Sequence, residues 1–272
     1  MRIDLHLHSR ASDGHLTPTA LASAAIAGGL DIIALTDHDT AAGVPELFEA
    51  ARERPLTVIS GIEVSARHGD AEIHVLGYYI DPSAPSIRAH EEASVQRRTD
   101  RMHGMIARLR EQGLSVAYED VLREAGPEAA SLGRPHLARA LLSRGQTRTY
   151  GEAFERYLHD GGSAFVPTEF PSVAEAIRTI RDAGGLAVWA HPPVELFERE
   201  IRTFASWGLN GVECFRPTTP QAESLLFETG ARSLGLLRTG GSDRHGPHRS
   251  RLGDFCVRED EVREMLALGG LV

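Results

Sequence analysis

From Arg2 the chain alternates short apolar, strand-like runs with helix-like runs, and it breaks that rhythm once. Over residues 2–8, Ile3, Leu5 and Leu7 alternate with Asp4, His6 and His8, the period-two pattern of a strand, so His6 and His8 face the same way. Thr17-Pro18 reads as the cap and first residue of a helix that runs to Ala27 and is stopped by Gly28-Gly29. Strands follow over Asp31–Leu35, Leu56–Ile62 and Ala71–Ile80, with a helix over Val44–Arg54 between the first two. From about 81 to 168 the pattern becomes helical with charged faces, over Ser86–Gln112, Tyr118–Glu124, Pro135–Ser143 and Tyr150–His159. The alternation resumes with a helix over Val173–Ala183, strands over Leu186–Trp189, Gly211–Phe215 and Leu236–Thr239, a helix around Gln221–Thr229 and a last one from Glu259. Such a pattern implies a mainly parallel sheet, and six or seven βα units are enough to close it into a barrel. We therefore expect an α/β barrel built from residues 1–80 and 169–272, with 81–168 as a helical insertion.

Composition removes several classes of function. At 272 residues, 42% hydrophobic and 25% charged, the chain can bury one large core. Cys214 and Cys256 are too few for a disulfide framework and belong to no CxxC pair. No apolar run approaches the roughly 20 residues of a membrane span, and no leader pattern precedes the first strand, so the expected location is cytoplasmic with no membrane partner. A formal net charge of −9 argues against gripping long nucleic acid through bulk electrostatics. Small anions remain admissible, because bound cations can make a pocket locally positive in a negative protein.

His6, His8, His38, His74, His191 and His245, with Asp13, Glu63 and Asp243, lie at predicted strand ends or in the loops after them, His74 alone lying nearer mid-strand. In a βα barrel these positions converge on one face. Imidazoles with carboxylates suit Zn, Mn or Fe, and a shared carboxylate can bridge two cations in the manner of two-metal phosphoester chemistry. His15, His68, His90, His103 and His159 lack this placement, and His136 and His248 stay undecided. Asp4, Asp37 and Asp39 are candidates for orienting the imidazoles by accepting their free N–H groups. Phe170, Trp207 and Phe215 are aromatic candidates for a base pocket, and Trp189 reads as core. No GxxxxGK[ST] phosphate loop and no GxSxG elbow is present.

His6-Leu7-His8, Ser12-Asp13-Gly14, Thr36-Asp37-His38-Asp39, Gly61-Ile62-Glu63, His74, Ala190-His191-Pro192 and Gly241-Ser242-Asp243-Arg244-His245 together resemble the motif series of the PHP (polymerase and histidinol phosphatase) family. The resemblance runs almost the whole length of the chain. It implies a distorted (β/α)7 barrel related to the amidohydrolases, holding two or three divalent metals, with Mn first and Zn or Fe as alternatives. Carried over, the family pattern assigns His6, His8, Glu63 and Asp243 to one ion, Glu63, His74 and His191 to a second, and Asp13, His38 and His245 to a third. Leu132-Gly133-Arg134-Pro135-His136 resembles a segment of the branch that contains 3',5'-nucleotide bisphosphate phosphatases and a 5'-to-3' trimming exoribonuclease. The insertion is then expected to cover the active site, with Arg134, His136 and Arg216 as substrate-binding candidates. Arg134 has the planar guanidinium that suits a non-reacting phosphate. The implied activity is hydrolysis of the 3'-phosphate of a nucleoside 3',5'-bisphosphate by a metal-activated hydroxide. The alternatives are exoribonuclease action on short RNA ends, a histidinol-phosphate-type phosphatase, and a non-catalytic PHP module. The implied partner is a small phosphorylated nucleotide, and no protein partner is implied.

Overall fold

The structure is a computed structural model that describes residues 1–127, 129–246 and 251–272, so His248 lies outside the described residues. The barrel half runs β1 (Arg2–Leu7), α1 (Pro18–Ala27), β2 (Ile32–Leu35), α2 (Val44–Ala51), β3 (Thr57–His68) and β4 (Ala71–Tyr78). Four helices follow, α3 (Pro85–Glu111), α4 (Tyr118–Ala125), α5 (Arg134–Ser143) and α6 (Tyr150–Ala153), the last continued by a π-helical turn over Phe154–Leu158. The chain then returns through α7 (Val173–Asp182), β5 (Leu186–Trp189), α8 (Val194–Ser206), β6 (Gly211–Phe215), α9 (Gln221–Ser233), β7 (Leu237–Gly240), β8 (Val257–Arg258) and α10 (Glu259–Leu268).

Among the described residues the sheet order is β7-β6-β5-β4-β3-β2-β1-β8. A parallel bridge between Leu7 and Arg244 brings the β7 exit against β1, so the barrel is nearly closed. The β1–β2–β3 and β5–β6–β7 runs are parallel. β4 is antiparallel to both its neighbours, because β3 and β4 form a hairpin without a crossover helix. A short eighth strand, antiparallel to β1, joins the seven of the expected barrel.

Both faces of the parallel strands are apolar, which is why β2 is buried along its whole length. Ile33 and Leu35 pack with Leu21, Leu47, Ile177 and Phe204 from the surrounding helices. Ile32 and Ala34 pack with Ile3, Leu5, Leu76 and Val188, and Met265 and Leu266 of α10 join that cluster. A separate apolar cluster, including Met105, Leu109, Val121, Leu137, Leu141 and Leu158, holds α3 to α6 together. The 27-residue α3 crosses between the two regions, with Ile87 in the barrel core and Met105 and Leu109 in the helical one.

Besides this eighth strand, two elements differ from the sequence expectation. β3 continues past Ile62 to His68, because Val64 and Ala66 extend the buried alternation, and Glu63 is therefore a mid-strand residue. α8 was not anticipated behind Pro192-Pro193; its Leu196, Phe197, Ile201 and Phe204 form the buried stripe of an amphipathic helix.

Candidate metal centre

Strand register brings the nine predicted ligand residues together. The His8 N–H donates to the Arg244 carbonyl, Asp39 N–H to the Glu63 carbonyl and Glu63 N–H to the Asp37 carbonyl, which locks the β1, β2, β3 and β7 exits side by side. Close backbone approach is required at Gly241, where a Cβ would lie 2.4 Å from the His6 Cβ. His191 and Asp243 have φ of 31° and 51°, a left-handed backbone that non-glycine residues adopt at a cost of about 1–3 kcal/mol where function demands it.

Glu63 sits at the centre, fully buried, and its two oxygens face different imidazoles. Oε2 lies 3.4, 3.3 and 3.0 Å from His6 Nε2, His8 Nε2 and His38 Nδ1. Oε1 lies 3.0 and 3.1 Å from His74 Nδ1 and His191 Nε2. Asp243 Oδ1 is 3.5 and 3.3 Å from the Nε2 atoms of His6 and His8. On the remaining side His245 Nε2 is 3.3 Å from Asp13 Oδ1 and 3.5 Å from His38 Nε2. Donor atoms within 4.8 Å of one another define three groups: His8, Asp13, His38 and His245; His6, His8 and Asp243; and His38, Glu63 and His74. His8 and His38 each belong to two of these groups, so the geometry shares them more widely than the family pattern does.

Donor chemistry fits divalent cations. His6 Nε2, His8 Nε2, His38 Nδ1 and Glu63 Oε2 are buried without a hydrogen-bond partner although they converge within 3.5 Å. Unpaired buried lone pairs are costly, and a cation between them removes that cost. Three of the six imidazoles have a partner on the opposite ring nitrogen, whereas His8 Nδ1 is buried without one. His6 Nδ1–H donates to Glu213 Oε1 at 2.8 Å, His74 Nε2–H to Glu72 Oε1 at 3.3 Å, and His245 Nδ1–H to the Asp243 carbonyl at 3.1 Å. Each bond keeps a proton on the outward nitrogen and aims the inward nitrogen at the centre, where a metal would displace any proton it carries. Burial pulls His38 down to about 3, although Glu63 and Asp13 favour its charged form. Burial opposes the charged form of His74, yet Glu63 and Glu72 raise it to about 10. Burial also works against the Glu63 carboxylate, but His38, His6 and His74 hold it well below the usual range.

Glu213 and Glu72 perform the orienting role expected of Asp4, Asp37 and Asp39. Asp4 accepts the backbone N–H groups of Ser242 and His6, and Asp37 accepts from Ser9 and Ser12. Asp39 accepts from His90, Arg98 and the Ser65 N–H, and none of these three touches a predicted ligand ring. The physical reason is register: these carboxylates point into loop backbones, whereas Glu213 on β6 faces His6. A lone glutamate inside the apolar run Gly211–Phe215 was the available signal.

The three substrate-binding candidates separate. Arg134 opens α5, where its guanidinium donates to the Leu158 carbonyl and pairs with Asp160, and it lies over the Phe165 ring. Arg101 stacks on the same ring, and its Nη2 is buried without a partner. Burial opposes the Glu72 carboxylate, yet the hydrogen bond and charge of the neighbouring His74, with smaller contributions from Arg101 and Arg134, draw it down to about 2. His136 is 1% exposed, and its Nδ1 accepts the Gly133 N–H that precedes α5, so it holds a helix start and offers no open face. Arg216 lies 3.9 Å from Glu213 and lines a cleft of about 610 Å³ with Phe215, Thr219, Leu225 and Phe255, a lining that includes none of the nine converging residues. Trp207 stacks on Phe204 rather than on a pocket. Phe165, which sequence reasoning passed over, is the aromatic residue that meets the arginines.

A nearly closed α/β barrel with a histidine–carboxylate cluster at its strand exits belongs to the metal-dependent hydrolases. The PHP domain model matches residues 4–159, and this chain is a member of the PHP family and a phosphoesterase of that family. It is 35% identical over 251 residues to a 5'-3' exoribonuclease of Haemophilus influenzae, covering 90% of each chain. It is also 35% identical over 251 residues to a 3',5'-nucleoside bisphosphate phosphatase of Chromobacterium violaceum, covering 90% of this chain and 87% of the other. A solved structure from Bifidobacterium adolescentis, described as a candidate metal-dependent phosphoesterase, superposes with a TM-score of 0.89 at 33% identity over 97% of this chain and 95% of that one.

Proposed function

We propose that the chain hydrolyses the 3'-phosphate of nucleoside 3',5'-bisphosphates, with the nine converging residues as metal ligands. The observation that carries the reading is the pairing of a multi-ion donor cluster with two arginines stacked on Phe165 beside it. Divalent cations held by His6, His8, Asp13, His38, Glu63, His74, His191, Asp243 and His245 would supply an activated water and offset phosphate charge. Glu63 would serve two of the ions at once, because its oxygens face separate imidazole sets. Glu213 and Glu72 hold His6 and His74 in the tautomers that metal binding needs. Arg134 and Arg101 would engage the second phosphate, Arg134 exchanging its bond to the exposed Asp160 for one to the ligand. Phe165 would keep the two guanidinium groups apart and oriented.

A second reading, 5'-to-3' removal of nucleotides from short RNA, is favoured by the exoribonuclease relative and by the same site chemistry. The segment 81–168 carries twelve Arg against twelve Asp and Glu, a balance that suits a substrate end better than a long polyanion. The deciding experiment compares Mn-loaded protein on adenosine 3',5'-bisphosphate, 3'-AMP, 5'-AMP, histidinol phosphate and a short 5'-phosphorylated RNA. Preferred release of phosphate and 5'-AMP from the bisphosphate is the expected result, and Arg134→Ala should remove that preference. Mononucleotides from RNA would make the chain an exonuclease, and inactivity of the metal-loaded protein on all five would leave a binding module.

A further inference from the structure

Arg98 lies midway along α3, where the helix passes from the barrel core to the helical core, and its side chain is 11% exposed. Its guanidinium is divided among three segments. Nε donates to Asp39 Oδ2 at 2.9 Å and Nη2 pairs with the same oxygen. Nη2 also donates to Ser65 Oγ at 3.0 Å, and Nη1 to the Leu132 carbonyl at 3.2 Å. Asp39 follows His38 directly and has φ of 54°, a conformation held by these bonds together with those from His90 and the Ser65 N–H. Ser65 is two residues beyond Glu63 on β3. Leu132 is two residues before Arg134, and the loop that carries it docks through the Ala130 and Ser131 N–H groups onto the Ala11 carbonyl, two residues before Asp13.

We infer that Arg98 is a positioning residue that couples the metal centre to the phosphate-recognition segment. The inference rests on the proposed metal centre and adds to it that the two parts are set by one side chain. A planar guanidinium can serve Asp39, Ser65 and Leu132 together, whereas an ammonium on a flexible stem cannot. Loss of the fork therefore frees the backbone of Asp39, and with it the aim of His38, while it releases the loop that leads into Arg134.

The test uses full-length Arg98→Lys, which keeps a cation beside Asp39, with Arg98→Ala as the stronger lesion. Arg238→Lys serves as the control, since Arg238 is a similarly buried arginine paired with Glu228 and Glu264. Mn2+ binding is followed by the spin-resonance signal of the free ion. Selectivity is the ratio of kcat/KM for adenosine 3',5'-bisphosphate to that for 3'-AMP. Arg98→Lys should weaken one class of Mn2+ site by about ten- to a hundredfold, the size of effect seen when a group behind a ligand is lost. It should also lower the selectivity ratio, while Arg238→Lys leaves both at the parental values. Parental Mn2+ binding and parental selectivity in Arg98→Lys, whatever its melting temperature, would make Arg98 a structural ion pair. Movement of only one readout would overturn the coupling, and a parent protein that binds no Mn2+ would remove the metal centre and this inference together.

Discussion

Glu213 shows how much of the site depends on a residue that does not line it. One of its oxygens accepts the His6 Nδ1–H and the other accepts the His191 backbone N–H at 2.8 Å, so one carboxylate sets two ligands on different segments. Glu213→Gln keeps the shape but turns an amide N–H toward one of these donors. We expect metal affinity or kcat to fall by about 10- to 100-fold, with a far-ultraviolet spectrum like that of the parent. Unchanged metal binding in that variant would show that His6 holds its tautomer without help. At this scale the sequence was most legible for residues whose chemistry is conspicuous: histidines and acids following apolar runs. It was least legible for Glu213, Arg98 and Phe165, whose roles depend on which neighbour they face, a property that no local pattern carries.

Elements were legible where apolar periodicity was strong and boundaries were marked by a cap. α7 begins at Val173 behind Ser172, whose hydroxyl accepts the Glu175 N–H at 3.3 Å while Glu175 Oε2 accepts the Ser172 N–H at 2.7 Å. This reciprocal box satisfies two groups at the helix start, and it leaves Ile177 and Ile180 aimed at the core. Ser172→Ala should cost about 0.5–2 kcal/mol in denaturant unfolding and leave Mn2+ binding alone, because α7 supplies no ligand. A loss of metal binding would mean that α7 transmits strain through β3, which it meets where Ser172 bridges Arg67. The strands were harder. Glu63 reads as the end of β3 because a charge normally ends a buried run; here hairpin pairing of Glu63 with Leu76 carries the strand onward. β8, two residues long, has no period to detect and exists only because β1 offers it an edge.

For the whole molecule, the central feature is a dense set of buried ionisable groups within a protein of net charge −9. Asp13, Glu63 and Asp243 are all held in the charged form by neighbouring imidazoles, and His74 is raised to about 10 by Glu63 and Glu72 although burial opposes it. A cation at this centre takes the place of protons, since a ligating imidazole must give up the proton on its inward nitrogen. The sign follows: below about pH 10 the His74 proton competes with metal, so binding releases protons and strengthens as pH rises. Binding to the folded state alone stabilises it by RT ln(1 + [L]/Kd), about 2.7 kcal/mol at a hundredfold excess over Kd. At a fixed Mn2+ concentration the rise in melting temperature over the metal-free protein should therefore be larger at pH 8 than at pH 6, and Mn2+ addition should acidify a weakly buffered solution. His74→Asn should weaken that pH dependence as it removes one proton with the ligand, while His6 and His245, also raised by neighbouring carboxylates although burial opposes it, keep theirs. An equal shift at both pH values in the parent, with no acidification, would mean that no proton leaves when metal enters and that His74 is not among the ligands.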